Sequence, residues 1–209
     1  GVGARGSVRT TNTPADGAPA DGASADGASA DGASAAATST PGADVGPSPV
    51  PSSSGNTDEL GDPLTSYDDI TNYNNYYEFT TDKAGVASLA ENFKTSPWTV
   101  EVGGLVNKPK TYGIEDILAK FTQEERIYRL RCVEAWSMVI PWTGFELGAL
   151  LKEVEPQGSA KYVAFTTLLD REQFPGQKSP FYPWPYTEGL RLDEAMQRLT
   201  ILATGLYGK

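Results

Sequence analysis

Apolar and polar positions follow a regular pattern only after about residue 60. Four segments have the alternation or the β-branched and aromatic content typical of strands: 98–102, 127–133, 162–168 and 200–204. Three segments carry apolar residues at helical spacing and predict helices: 114–121, 145–154 and 192–199. Because helices and strands follow one another in an irregular order, the pattern favours an α+β fold over a regularly alternating α/β sheet.

Residues 1–60 are a different kind of sequence, built almost entirely from Ala, Gly, Ser, Pro, Thr and Asp. They include ADGAP at 15–19 and three copies of ADGAS over 20–34. Such a segment buries too little apolar surface to offset the entropy of ordering its backbone. We therefore predict a disordered linker over 1–60, acting either as a stalk or as a neutral spacer, and one globular domain over 61–209.

The composition excludes several classes of function. A net charge of −10, with no basic run, argues against binding to nucleic acid. The chain has no histidine and one cysteine, which excludes His-dependent catalytic triads, internal disulfides, zinc ribbons and iron–sulfur clusters within these residues. No segment reaches the ~18–20 apolar residues that span a bilayer.

The single cysteine, Cys132, is the central candidate for chemistry. A lone cysteine is most often a small buried apolar residue. If the strand over 127–133 continues, however, alternation places Glu134 on the same side as Cys132. A thiol beside a carboxylate and just after two arginines, Arg129 and Arg131, is unusual for a core, and a bound cation would explain it. The alternative for Glu134 is a salt bridge to Arg129 or Arg131.

A longer resemblance adds to this interpretation. The strings IYRLRCVEAWSM at 127–138 and PWTGF at 141–145 resemble the molybdenum-ligand segment of bacterial protein-methionine-sulfoxide reductase catalytic subunits, a branch of the sulfite-oxidase fold. The similarity extends to YNNYYEF at 73–79, PWT at 97–99, KYVAF at 161–165 and EGLRLDEA at 188–195. It covers about residues 64–209 and leaves out the repeat.

The resemblance implies a molybdenum–molybdopterin (Mo-MPT) cofactor and a role for each matching residue. Cys132 is expected to bind the molybdenum. The pterin is expected to contact four residues: Asn74, Tyr77, Glu78 and Thr167. Asn75 and Glu134 are expected to be polar groups near the metal, with Glu134 delivering protons or positioning water. The alternative for the aromatic residues of 73–79 is a latch that docks the start of the domain.

The same resemblance implies oxygen-atom transfer from methionine sulfoxide in oxidised periplasmic proteins. Electrons are expected from a membrane-embedded haem-binding partner supplied by quinone. An export signal is expected to have been removed or to lie outside these residues. The family's domain continues beyond residue 209 and there holds the cofactor phosphate, so we expect these 209 residues alone to fold poorly and to retain little cofactor.

Two alternatives stay open at this point. The first is a sulfite-oxidising or other oxotransferase of the same fold, because the metal site is shared and the substrate pocket is not mapped. The second is a non-catalytic, surface-tethered binding module in which the acidic repeat is the working part. The presence or absence of stoichiometric molybdenum in the purified protein separates an enzyme from a binding module.

Overall fold

The computed structural model describes residues 4–11 and 55–209, which fall within one compact unit. The described strands are β1 Ala4–Thr11, β2 Trp98–Gly104, β3 Lys110–Gly113, β4 Glu124–Arg131, β5 Ser137–Glu146, β6 Tyr162–Thr166, β7 Thr187–Arg191 and β8 Ile201–Leu206. The described α-helices are α1 Tyr67–Asn72, α2 Val86–Ala90, α3 Ile114–Lys120, α4 Leu147–Val154 and α5 Leu192–Ala195. This mixed order confirms the α+β class.

The strands form two sheets. The larger sheet has the order β3-β2-β1-β6-β7, in which β1 is parallel to β2 and antiparallel to β6. The smaller sheet has the order β4-β5-β8, with both pairs antiparallel. At Gly144 the pairing of β5 with β8 shifts register, and a Cβ there would lie 2.3 Å from the carbonyl oxygen of Leu202. Only glycine permits this close approach.

The main hydrophobic core forms where α4 packs against the strands. Leu147, Leu150, Leu151 and Val154 recur at i, i+3, i+4 and i+7, so they share one helix face, and each is at most 1% exposed. That face joins a core that also contains residues of β2, β3 and β6. The helix ends where Glu155 adopts φ 55° and its N–H donates to the carbonyl of Leu151.

Several predicted boundaries are wrong by a few residues. The strand expected to reach residue 133 ends at Arg131, and the helix expected from 145 begins at Leu147 because 145 and 146 belong to β5. The helix expected over 192–199 ends at Ala195. The sequence analysis did not predict β1, β3, β5, β7, α1 or α2.

The N-terminal segment differs from the prediction of a linker over 1–60. Residues 4–11 form β1, which pairs through its backbone with two neighbours in the larger sheet. Residues 57–60 are also ordered, since Thr57 pairs with Pro63 and the Asp58 side chain is buried. The ADGAS repeat lies outside the described residues. Within 4–11 and 55–209, none of the helices has the length and apolar character needed to cross a bilayer.

Candidate functional site

Cys132 lies in the turn that connects β4 to β5, and its side chain is half-buried. The Cys132 N–H donates to the carbonyl of Trp136 over 2.9 Å, and the Ala135 N–H donates to the carbonyl of Cys132 over 3.1 Å. Ala135 adopts φ 68°, which closes the turn, and Val133 at its tip is fully exposed. We call residues 132–136 the cysteine turn. It presents the thiol at the end of a hairpin rather than within a strand.

Glu134 belongs to this turn, so the expectation that it follows Cys132 on a continuing strand face is wrong. Its carboxylate instead contacts the Lys83 ammonium at 2.8 Å and accepts from the Tyr77 hydroxyl at 3.4 Å and the Trp136 indole N–H at 3.2 Å. The Lys83 contact, followed by the Trp136 hydrogen bond, lowers the pKa of Glu134 below its usual value. At neutral pH this group is an ionised acceptor.

The alternative of a salt bridge from Glu134 to Arg129 is also wrong, because the two residues have other partners. The Arg129 guanidinium contacts the Asp58 carboxylate, at 2.6 Å from Nη2 and 3.1 Å from Nε, and it also pairs with Asp62. Although burial opposes ionisation of Asp58, hydrogen bonds from the Asp62 amide and from Arg129 hold the pKa of its carboxyl below 3.8. This pair fixes β4 close to where it enters the cysteine turn.

A cavity of about 700 Å³ lies between β2, β6, α2 and the segments around residues 74–79 and 165–174. Its lining is mainly apolar and aromatic, and it includes Asn74, Glu78 and Thr167. Glu78 is 8% exposed. A site of this volume with a few polar groups is typical of a pocket for a small organic molecule. Three of the four residues expected to contact a pterin thus line one cavity.

A second cavity of about 270 Å³ is lined by Asn75 and Tyr77, together with Tyr186 and Glu188. Tyr76 and Glu78 line both cavities, so the two spaces adjoin at this segment. Tyr77 also bonds to Glu134 of the cysteine turn. The segment 74–78 therefore connects the cavities to the turn that carries the thiol.

Backbone contacts hold this segment in place. The Asn74 side-chain amide donates to the carbonyl of Ile70 at the end of α1 over 2.8 Å. The Gly176 N–H donates to the carbonyl of Glu78 over 2.8 Å, and a Cβ on Gly176 would lie 2.2 Å from the carbonyl oxygen of Tyr77. The 3-10 helix Pro175–Lys178 consequently packs directly against the backbone of the Tyr77–Glu78 pair.

The loop after β6 is held by a buried side chain. Gln177, 0% exposed, accepts from the Asp170 N–H and donates to the carbonyl of Leu168, both over 2.8 Å. Thr167 donates through its N–H and its hydroxyl to the carbonyl of Tyr186 at 3.0 and 3.3 Å. These bonds place Thr167 at the cavity edge between β6 and the segment that precedes β7.

Sequence reasoning did not identify Lys83, Trp136 or Gly176 as part of this site. The sequence around Gly176 gave no signal that it belongs to the site. Trp136 was noted only as part of the string that resembles the family. Lys83 lies in a polar stretch whose pattern predicts only a loop. Their roles depend on contacts between segments that are distant in the chain.

The donor chemistry is compatible with a metal that brings its own additional ligands. Among residues 4–11 and 55–209, no three His, Cys, Asp or Glu side chains are grouped to hold a metal ion. The described residues therefore fit a metal whose further ligands come with a cofactor, such as the dithiolene of the molybdopterin that the resemblance implies. The lining of the larger cavity, as far as the structure describes it, includes neither lysine nor arginine, so it offers no countercharge to a phosphate.

Comparison with known proteins agrees with these features. The family model described as an oxidoreductase molybdopterin binding domain matches residues 87–209. A protein-methionine-sulfoxide reductase catalytic subunit MsrP from Xanthomonas axonopodis pv. citri is 58% identical over 146 residues, covering 70% of this chain and 45% of that protein.

Two further relatives carry the same name. The one from Ralstonia nicotianae is 56% identical over 145 residues, covering 69% of this chain and 44% of its own length. The one from Pseudomonas syringae pv. tomato is 58% identical over 148 residues, covering 70% and 44%. The chain therefore spans less than half the length of the curated relatives it matches.

Proposed function

Because this chain belongs to the oxidoreductase molybdopterin-binding domain family, we propose that it forms the metal-ligand part of a protein-methionine-sulfoxide reductase catalytic subunit. The observation that carries the proposal is the position of Cys132. The chain's single thiol lies in a turn whose Glu134 is bonded to Tyr77, within the segment that lines both cavities. The cofactor implied is Mo-MPT.

In this proposal each site residue has its own role. Cys132 binds the metal as a thiolate, since a coordinating thiol is deprotonated. Asn74, Glu78 and Thr167 contact the pterin from the larger cavity, and Tyr77 contacts it from the smaller one. When bound, the cofactor supplies an open coordination position and two-electron oxygen-atom transfer.

The overall reaction reduces a sulfoxide to a thioether and consumes two electrons and two protons, with release of water. In this proposal Glu134 and Asn75 hold water at the site. Glu134 accepts hydrogen bonds from its neighbours as an ionised group, which favours orientation of water over direct proton donation. An oxidised methionine on the surface of a protein is the proposed substrate.

The proposed source of electrons lies outside the described site. The chain has no histidine, a common haem ligand, and one cysteine, whereas an iron–sulfur cluster typically takes four. We propose a membrane-embedded haem-binding partner supplied by quinone, and a periplasmic location, both from the family resemblance. An acidic net charge of −10 is unfavourable for an alternative role on nucleic acid.

The test uses Cys132→Ser in the full-length protein as its cells produce it, in a strain that makes molybdopterin. We expect loss of molybdenum and of sulfoxide reduction measured on an oxidised protein. Val133→Ser is the matched control, because this neighbour in the same turn is fully exposed. Full metal content and turnover in Cys132→Ser would contradict the assignment.

The same preparation separates the alternatives. Wild-type protein with stoichiometric molybdenum that oxidises sulfite, yet does not reduce methionine sulfoxide, would point to another oxotransferase. Wild-type protein without molybdenum from cofactor-replete cells would favour a binding module.

A further inference from the structure

Lys83 contacts two parts of the site at the same time. Its backbone carbonyl accepts from the Asn74 N–H over 3.0 Å, which fixes the loop that contains Asn74 and Tyr77. Its side-chain ammonium lies 2.8 Å from Oε2 of Glu134 in the cysteine turn, and the Lys83 side chain is 23% exposed. One residue therefore joins the cavity-lining segment to the turn that carries the thiol.

Within residues 4–11 and 55–209, few other contacts hold the cysteine turn at its tip. Val133 is fully exposed, and the two backbone hydrogen bonds of the turn lie within 132–136 itself. The contacts that link the turn's side chains to the 74–83 loop converge on one carboxylate, which binds both Lys83 and Tyr77. The position of the turn relative to that loop consequently depends on Glu134 being held.

We propose that Lys83 is a positioning residue that fixes the cysteine turn against the cavity-lining segment by holding the Glu134 carboxylate. The consequence for the metal rests on the proposed function of Cys132, whereas the effect on the turn does not. Lys83 acts through Glu134. A flexible ammonium with three N–H donors can hold a carboxylate from the loop, and a guanidinium at the same position can do the same.

Another lysine provides the contrast that makes this proposal testable. Lys108 also pairs with a glutamate, Glu155, but the two side chains are 66% and 43% exposed and line neither cavity. Exposed pairs of this kind contribute little. Lys83→Met and Lys108→Met remove the same charge and the same ion-pair chemistry, at the site and away from it.

The first experiment is hydrogen exchange of the Cys132 and Ala135 amides in full-length protein freed of cofactor. In Lys83→Met we expect these amides to exchange about two- to fivefold faster, as the loss of a partly shielded ion pair allows. Lys108→Met should leave the rates unchanged, and Lys83→Arg should restore them. Equal rates in Lys83→Met and Lys108→Met would overturn the proposal.

The second experiment measures molybdenum retained per chain after gel filtration. Residues that orient a metal ligand typically contribute 10–100-fold to metal affinity, so Lys83→Met should bind the metal that much more weakly and retain less of it, while Lys83→Arg retains most of the metal. In a Glu134→Ala background, Lys83→Met should add nothing further, because the oxygen acceptor of the Lys83 ammonium is already gone. Full additivity of the two changes would contradict action through Glu134.

The hydrogen-exchange and molybdenum measurements can each contradict a different part of the argument. If wild-type protein from cofactor-replete cells holds no molybdenum, the proposed function is wrong, and hydrogen exchange alone then decides whether Lys83 holds the turn. If wild-type protein holds molybdenum and Lys83→Met retains it fully, the positioning role is wrong and the function stands.

Discussion

Apolar side chains form a closed core in one region of this molecule and line an open cavity in another. Beneath α4, Leu150, Leu151, Val102 and Val163 are 0% exposed and pack into one closed core. Beside α2, Phe79, Phe93 and Phe174 pack with ring centroids 4.8–5.7 Å apart, yet they border a space of about 700 Å³. Protein interiors are normally close-packed, and an apolar-lined space of this size is typical of a pocket for a small organic molecule.

The difference lies in what holds each region. The closed core is held by side-chain packing. In the cavity region and the adjoining cysteine turn, backbone contacts and charges contribute as well: Gly176 packs on the Tyr77–Glu78 backbone, Lys83 pairs with Glu134, and Arg129 pairs with Asp58 close to the turn. Stability should therefore reside mainly in the first region, and ligand capacity in the second. Three substitutions test this separation.

The largest effect is expected in the closed core. Leu150→Ala removes most of a fully buried side chain and should destabilise the protein by about 2–5 kcal/mol. Leu118→Ala in α3 is the control, because that leucine is 46% exposed and its truncation should change stability by less than about 0.5 kcal/mol. Urea denaturation with a two-state fit measures both. Similar losses of stability in the two variants would contradict the view that stability resides in the closed core.

A smaller effect is expected from Gly176→Ala at the cavity wall. The added methyl would lie 2.2 Å from the Tyr77 carbonyl oxygen and 2.7 Å from that of Glu78, so backbone must move. Overpacking of this kind costs about 1–3 kcal/mol. Because the displaced backbone carries cavity-lining side chains, cofactor retention should fall more than stability alone explains. Gly158→Ala is the control, since nothing lies within 4 Å of its Cβ position. Unchanged cofactor retention in Gly176→Ala would show that the wall is not rigid.

The closed core is also the region that sequence predicts best. Val100 and Val102 occupy alternate positions along β2, and the leucines of α4 recur at helical spacing. These local patterns are the ones that place apolar side chains in the core, so the sequence predicts this region well. The helix begins two residues later than predicted because β5 extends through Glu146 and pairs with β8. Long-range pairing sets that boundary, and a local pattern does not encode it.

The cavity region could be predicted only in part. Cys132 was selected as the only cysteine of the chain, and the resemblance to a family then supplied the roles expected of the residues around it, which stay predictions. The end of β4 was missed because apolar Val133 fits a strand, while the turn is closed by an alanine at positive φ, a conformation usually left to glycine or asparagine. Lys83 was missed because its role is a contact between two loops.

The strand β1 could not be predicted from the sequence for a different reason. Its sequence has no apolar periodicity, so composition alone predicts a linker. Its place in the sheet comes from backbone hydrogen bonds to β2 and β6, which are available to almost any residue type and leave no trace in a hydrophobic pattern.

The smallest expected effect is a pH dependence of stability near the cysteine turn that the closed core should not show. The pKa of Asp58 is held below its ordinary value of 3.8, so its interactions stabilise the folded state fully above about pH 4 and are lost as the pH falls through the lower folded value. Asp58→Asn removes that contribution, and Arg129 keeps Asp62 as a partner. The melting temperature of Asp58→Asn should thus lie below that of wild type at pH 6, and the gap should narrow below about pH 4.

The control for this pH dependence is Leu150→Ala, whose deficit involves no titrating group and should stay constant over the same range. Thermal unfolding of the three proteins between pH 3 and pH 7 provides the measurement. A gap for Asp58→Asn that is constant with pH would mean that the Asp58 charge contributes nothing to folding. In that case β4 would be held at the cysteine turn by packing and backbone pairing alone, and the contrast between a region fixed by packing and one fixed by charge would not extend to this end of the site.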